Sequence, residues 1–211
     1  MDFNLLEKEL KKRLDFPYLW GRRQTDNFDN NTNFIYKTSN FEAILTQIDT
    51  NFKSDTNYEA LKNYALNRWF NFWSAKAIEA CFCEHKNVIA HKNTKDKYTD
   101  FYISKIPFDH KTSVFPKGFN KSVPYAIEHK RELIAWFYKN QSQQKRQHFK
   151  NRLFLIVFDY SNLNEHWKLK SDILWLQKLV STYLSTFDAQ NLESFSFQNQ
   201  LVKSDVIWAI K

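Results

Sequence analysis

Hydrophobic positions along this chain recur with two periods, and the switch between them divides the sequence into elements. Phe3, Leu6, Leu10 and Leu14 fall at helical spacing, which predicts a short helix over 3–14. The following stretch, 15–34, is rich in Asn and Asp, contains Pro17 and Gly21, and reads as a loop. A helix over 41–52 is opened by Ser39 or Asn40 as a cap. Asp55 or Thr56 starts a long helix to about 84, with Leu61, Ala65, Trp69, Phe72, Trp73, Ala77 and Ala80 directed inward. Three short strands are predicted at 88–91, 98–104 and 106–113. A loop holding Pro116, Gly118 and Pro124 leads into a helix over 125–148. The run RLFLIVFDY at 152–160 is apolar without alternation, as expected of a strand buried on both faces. A helix over 165–187 and two strands at 194–198 and 206–210 complete the chain. From residue 55 onward the order is α, β, β, β, α, β, α.

Composition narrows the class. The chain has 211 residues, 43% hydrophobic and 18% aromatic, with two glycines, which excludes intrinsic disorder and suits a single domain over 1–211. No run of 18 apolar residues occurs, so no membrane span is expected. The first residues, MDFNLLEKELKKRLDF, lack the apolar stretch and small-residue cleavage site of a signal peptide. Cys81 and Cys83 are too few and too close for a disulfide framework, which points to the cytoplasm.

The net charge of +8 is local. Residues 111–152 hold ten basic side chains (Lys111, Lys117, Lys121, Lys130, Arg131, Lys139, Lys145, Arg146, Lys150 and Arg152) against Glu128 and Glu132, and the remainder is neutral. A concentrated basic segment is the footprint of a polyanion-binding surface, because neutralising phosphates releases condensed counterions. A solvated helix face that keeps the chain soluble would look the same by charge alone.

The chemistry lies immediately before that segment, in YTDFYISKIPFDHKTS at 98–113. Residues two apart on a strand share a face, so Asp109 and Lys111 point one way while Phe108 and His110 point the other. A hairpin turning at Ser104-Lys105 pairs residues whose numbers sum to 209. Ile103 then meets Ile106, Phe101 meets Phe108, and Asp100 stands opposite Asp109. Ser-Lys is a poor two-residue turn, and an odd-length loop would shift this register. Opposed carboxylates repel each other across strands. A hard divalent cation would reverse that, since Mg²⁺ takes oxygen ligands. Lys111 beside it could orient water and offset charge on a phosphoryl oxygen. An Asp109–Lys111 salt bridge on a wet sheet face is the plainer reading of the same residues.

This arrangement resembles the PD-(D/E)xK nuclease superfamily, whose restriction-endonuclease-like core runs α-β-β-β-α-β. Asp100 matches the Asp of the second strand, and Asp109-His110-Lys111 matches the (D/E)-x-K of the third. Glu79 in AKAIEACF falls where the family often has a helix Glu, with Glu84 as the alternative. Residue 99 is Thr where the family's motif has Pro. The resemblance covers 56–160. It implies an α/β fold with a mixed central sheet flanked by helices, an N-terminal helical addition over 1–55, and a C-terminal helix and strands over 161–211.

The resemblance further implies a Mg²⁺- or Mn²⁺-dependent DNA endonuclease that leaves 5′-phosphates. Asp100, Asp109, the His110 backbone carbonyl and Glu79 would be its metal ligands, and Lys111 would act on the nucleophile. A type II restriction enzyme or similar defence nuclease is expected, acting on double-stranded DNA and possible as a homodimer. A repair, recombination or transposition nuclease fits the same residues, as does a non-catalytic nucleic-acid-binding protein on this fold. So does a structural protein whose basic face binds an acidic partner. Lys117, Lys121, Lys145 and Arg146 are candidate phosphate contacts. Gln141, Gln143 and Gln144 could reach base edges, and Arg22, Arg23 and Gln24 form a weaker second candidate contact. The six histidines show no metal-ligand spacing, and no phosphate-cradling, nucleophile-elbow or zinc-protease motif occurs.

Overall fold

The computed structural model describes residues 1–20, 26–93, 96, 98–140 and 149–211, and these divide into two compact units. The first comprises Met1–Ile78 with Ser171–Trp175; the second comprises Glu79–Lys170 and Leu176–Lys211.

The first unit is helical. Helix α1 (Phe3–Lys12) is capped by Asp2, which accepts the Leu5 N–H at 3.0 Å, and carries Lys11 and Lys12 in its last turn where the helix dipole favours cations. Helix α3 (Phe41–Phe52) is capped by Asn40, which accepts the Ala43 N–H at 2.8 Å. The 15–34 stretch, expected to be loop, contains helix α2 (Asp26–Asn31), and a 3₁₀ turn (Asn33–Tyr36) follows. Its backbone is held by side chains rather than by a ladder. Buried Arg13 donates to the carbonyls of Phe16 and Pro17 and to Asn67, and Asn67 donates to Leu19 O at 2.8 Å. Arg68 does the same for the carbonyl of Asp29 and the hydroxyl of Thr32. These side chains fix the loop's carbonyls in place of backbone partners. Asn67 and Arg68 belong to the long helix α4 (Tyr58–Cys83), whose last turn, Glu79–Cys83, belongs to the second unit.

The second unit is built on a six-stranded mixed sheet flanked by helices. Its strands are β1 (Val88–Ala90), β2 (Phe101–Ile103), β3 (Ile106–Val114), β4 (Arg152–Phe158), β5 (Glu193–Phe197) and β6 (Gln200–Ile210), in the order β1-β2-β3-β4-β6-β5. β1, β2 and β3 form an antiparallel meander; β3, β4 and β6 are parallel; β5 closes the edge antiparallel to β6. β4 lies between β3 and β6, and every residue from Arg152 to Val157 is buried, which is why its sequence does not alternate. On one face Phe154, Ile156 and Val206 pack with Leu133, Ile134 and Tyr138 of helix α6 (Lys130–Lys139).

The helix expected over 125–148 starts earlier and breaks. Ser122 caps helix α5 (Val123–Glu128), His129 leaves helical geometry at φ −120°, ψ 44°, and α6 begins at Lys130. The break lets Lys130 reach Asp205 at 2.8 Å and Arg131 reach Glu193 at 3.1 Å. The helix expected over 165–187 is a 3₁₀ segment (His166–Ser171) followed by α7 (Ile173–Ser185). β6 is longer than the 206–210 expected, because its first half pairs with β5 through a turn at Gln198–Asn199.

Candidate active site

The site forms where β2 parts from β3. Ser104 and Lys105 take φ values of 47° and 71°, the left-handed pair of a two-residue turn, so the hairpin closes despite its unfavourable residues. Ile103 pairs with Ile106 and Phe101 with Phe108, the register expected from the pattern. Beyond Phe101 the ladder changes. The Asp100 N–H donates to Phe108 O at 2.8 Å, so Asp100 and Phe101 both address Phe108, as in a β-bulge. Asp100 is therefore not level with Asp109, as simple pairing would have it. Its carboxylate Oδ2 instead accepts the His110 backbone N–H at 2.7 Å.

Strand alternation sorts the next three residues. His110 packs against the rings of Phe82 and Phe101, with centroids 5.3 and 6.4 Å away, and Thr112 Oγ1 lies 3.1 Å from its Nε2. Burial, helped by the charge of Lys111, pushes its imidazole down to about 3, so the ring is neutral packing. Its backbone has another use. The N–H groups of Asp109 and Phe115 donate to β4-side carbonyls, of Asn151 and Val157, so those of the even-numbered residues face the opposite edge. The carbonyl of His110 is thus turned to the same edge as Asp100.

Asp109 and Lys111 project to the other face. Asp109 is buried and held twice: Lys111 Nζ lies 2.5 Å from Oδ1 and Arg152 Nε lies 3.2 Å from Oδ2. Arg152 is level with Asp109 on the parallel neighbour β4. Its guanidinium sits 5.5 Å from the centroid of the Tyr138 ring, and the Tyr138 hydroxyl is within 2.6 Å of Ser204 Oγ and donates to Lys150 O. Lys111 is half exposed, so the pair has a buried cation on one side and an accessible one on the other.

The carboxyl of Asp100 is raised above its ordinary range. Burial is the largest cause, opposed by the His110 hydrogen bond; Asp109 and Glu79 push it further up and Lys111 pulls it down. Glu79, Asp100, Asp109 and Lys111 therefore share one electrostatic neighbourhood. Glu84 does not join it: its Oε2 accepts from Gln177 at 2.9 Å, beside a separate cleft lined by Cys81, His85 and Lys178. Among the described residues no three His, Cys, Asp or Glu side chains are grouped to hold a metal ion. The oxygens in this neighbourhood include the two carboxylates of Asp100 and Asp109 and the main-chain carbonyl of His110, all hard donors. Hard oxygens are the donor type that Mg²⁺ and Mn²⁺ take.

The basic segment is divided among several tasks. Lys130, Arg131 and Arg152 are engaged by Asp205, Glu193 and Asp109. Lys117 and Lys121 are exposed, but they follow the far end of β3, where Val114 is level with Val157, about 17 Å along the strands from the Asp109–Arg152 row. Lys121 Nζ lies 5.1 Å from the centroid of the Tyr125 ring. Gln141, Gln143, Gln144, Lys145 and Arg146 lie outside the described residues, as do Arg22, Arg23 and Gln24. Arg152 was not among the expected site residues. The signal for it was a charged residue heading an otherwise apolar strand.

Comparison with protein families, curated proteins and solved structures finds no match to this chain. Among the described residues no helix is long and apolar enough to cross a membrane.

Proposed function

We propose that this chain is a metal-dependent nuclease that hydrolyses phosphodiester bonds in DNA, with a restriction-endonuclease-like core. The observation that carries the reading is the convergence of Asp100, Asp109 and Lys111 where β2 leaves β3, with Glu79 in electrostatic range. The element order from α4 to β4 and the β1-β2-β3-β4 strand order support the same core. Asp100, Asp109, the His110 carbonyl and Glu79 would hold Mg²⁺ or Mn²⁺. The ion would supply a Lewis acid for the phosphoryl oxygen and lower the pKa of water.

The chain's own residues do the remainder. Lys111 Nζ, anchored on Asp109 and half exposed, orients the attacking water and offsets charge developing on the phosphoryl oxygens. The water oxygen bonds to phosphorus, the 3′-oxygen leaves with a proton, and the 5′-phosphate remains on the other fragment. Arg152 fixes the direction of Asp109 through its contact with Oδ2. A defence nuclease of the type II restriction kind is the first candidate, and cutting both strands of a duplex would pair two such sites in a homodimer.

One observation favours a second reading. Both oxygens of Asp109 are engaged by cations, as in a structural ion pair, which would suit a non-catalytic nucleic-acid-binding protein. Incubating the protein with plasmid and Mg²⁺, with EDTA and Asp109→Ala as controls, separates the two. Nicking or linearisation lost in both controls is expected. Cleavage that survives Asp109→Ala removes these residues from the chemistry. DNA binding without cleavage, equal with and without Mg²⁺, establishes the second reading.

A further inference from the structure

A cleft of about 330 Å³ is lined among others by Tyr98, Thr99, Pro107, Lys150, Asn151 and Leu201. Its lining follows the site's residues along the chain: Thr99 precedes Asp100, Asn151 precedes Arg152, and Pro107 lies two residues before Asp109 on the same face of β3, about 7 Å away. Its chemistry is the inverse of the site's, since none of the described lining residues is acidic. Lys150 is exposed, with Nζ 5.7 Å from the centroid of the Tyr98 ring, and that tyrosine is 43% exposed. Leu201, on the opposite strand β6, is 71% exposed. The amide of Asn151 is held from both sides, donating to Pro107 O at 2.9 Å and accepting the Lys203 N–H at 2.8 Å. It forms a fixed floor and has little left to read a base edge.

An exposed ring flanked by a cation is a stacking platform with a phosphate contact, the combination that holds unpaired nucleotides without regard to base. The volume is at the small end for single-ligand sites, room for one nucleotide and not for a duplex. We infer that this cleft takes one unpaired nucleotide beside the scissile phosphodiester, its base on Tyr98 and its phosphate on Lys150. The assignment rests on the nuclease reading for the position of the scissile bond. The nucleotide comes either from a single strand or from a base swung out of a duplex, and both present the same face and phosphate.

The test uses the full chain in EDTA and a fluorescein-labelled thymidine tetranucleotide, followed by anisotropy. Tyr98→Ala should weaken binding about tenfold and Tyr98→Phe should bind within about twofold of wild type. Lys150→Ala should lower the slope of log affinity against log salt by about 0.7. Repeating the titration with a paired 20-mer and with the same duplex carrying a central mismatch separates the sources. A Tyr98→Ala loss on the mismatched duplex marks a swung-out base; a loss on the tetranucleotide alone marks single-stranded substrate.

Wild-type affinity in Tyr98→Ala, equal weakening by Tyr98→Phe, or no binding of the tetranucleotide by the wild type overturns the cleft assignment. Plasmid cleavage is scored separately. Cleavage with no role for Tyr98 leaves the nuclease and removes the cleft. Tyr98-dependent binding with no cleavage leaves a nucleotide site and removes the nuclease.

Discussion

The Asp109–Arg152 pair gives the sharpest energetic prediction. Arg152→Met keeps most of the side-chain length and removes the charge. The two side chains are 9% and 6% exposed and meet at 3.2 Å. At a charge separation of about 4 Å and an effective dielectric near 20, the interaction is on the order of 4 kcal/mol. Asp109 keeps Lys111, but that ammonium is half in water and compensates only in part. Tyr138 also loses the cation beside its ring, worth roughly 1 kcal/mol. Breaking one side of a buried pair commonly costs about 3–5 kcal/mol, and the remaining lysine places Arg152→Met at the lower end, about 3 kcal/mol. Urea denaturation, with circular dichroism and tryptophan fluorescence both recorded, measures it as a fall in midpoint at constant slope. Asp109→Asn and the double variant complete a cycle with a coupling of about 2 kcal/mol. A loss below about 0.5 kcal/mol, or single effects that simply add, would refute the claim that Arg152 holds Asp109.

Three further outcomes follow from the same geometry. Asp100→Asn keeps an acceptor for the His110 N–H and removes a charge whose ionisation burial, Asp109 and Glu79 oppose. It should raise the melting temperature in EDTA and, on the proposed reading, abolish the additional rise expected of the wild type in Mg²⁺ by mass action; a lower melting temperature in EDTA contradicts this. His110 sits near 3 when folded against an ordinary 6.5, so the neutral ring's contribution is complete above pH 6.5 and is lost as pH falls toward 3. Between pH 7 and pH 5 that loss is about 2 kcal/mol, and the stability difference between wild type and His110→Leu should shrink by that amount; a pH-independent difference counts against it. Ser104 and Lys105 hold the left-handed turn without the residues that prefer it. Ser104→Asn with Lys105→Gly should stabilise by about 1 kcal/mol in the same urea assay, and destabilisation would mean the turn is not of this type.

How far the chain could be read depended on how far apart in sequence the interacting parts lie. The β2–β3 register followed from Phe101, Ile103, Ile106 and Phe108 because one face of a hairpin is buried, and a one-residue slip would turn every apolar side chain outward. The same argument put Asp109 and Lys111 on one face and Phe108 and His110 on the other, where they are. It failed one residue beyond the ladder, at Asp100. There the side chain itself supplies the acceptor for the His110 N–H in place of a strand partner, which is what a bulge permits and what no alternation pattern encodes. The single helix expected over 125–148 failed for a different reason. Its period is continuous, but His129 leaves helical geometry between α5 and α6, and Lys130 and Arg131 beyond it pair with carboxylates on β6 and β5 that lie far off in sequence.

Arg152 was the least legible part of the site. It is 43 residues from Asp109, and a parallel pair has no turn between its strands to fix which residues become level. Its position nevertheless bears on how the site works. Asp109 is balanced by two cations before any ligand arrives, whereas Asp100 meets two like charges with one hydrogen bond from the backbone and a single opposing lysine. The uncompensated charge of the cluster thus sits on Asp100, the residue on the edge that β2 leaves open, beside a carbonyl turned the same way. On the proposed reading Asp100, Asp109 and the His110 carbonyl would hold the divalent cation, and of the two side chains paired with Asp109 only Lys111 is half exposed, since Arg152 is buried on the other oxygen. The buried arginine therefore leaves the exposed lysine as the exchangeable partner, and this division follows from β4 lying between β3 and β6 while, among the described residues, no strand pairs with the other edge of β3 beyond Phe108.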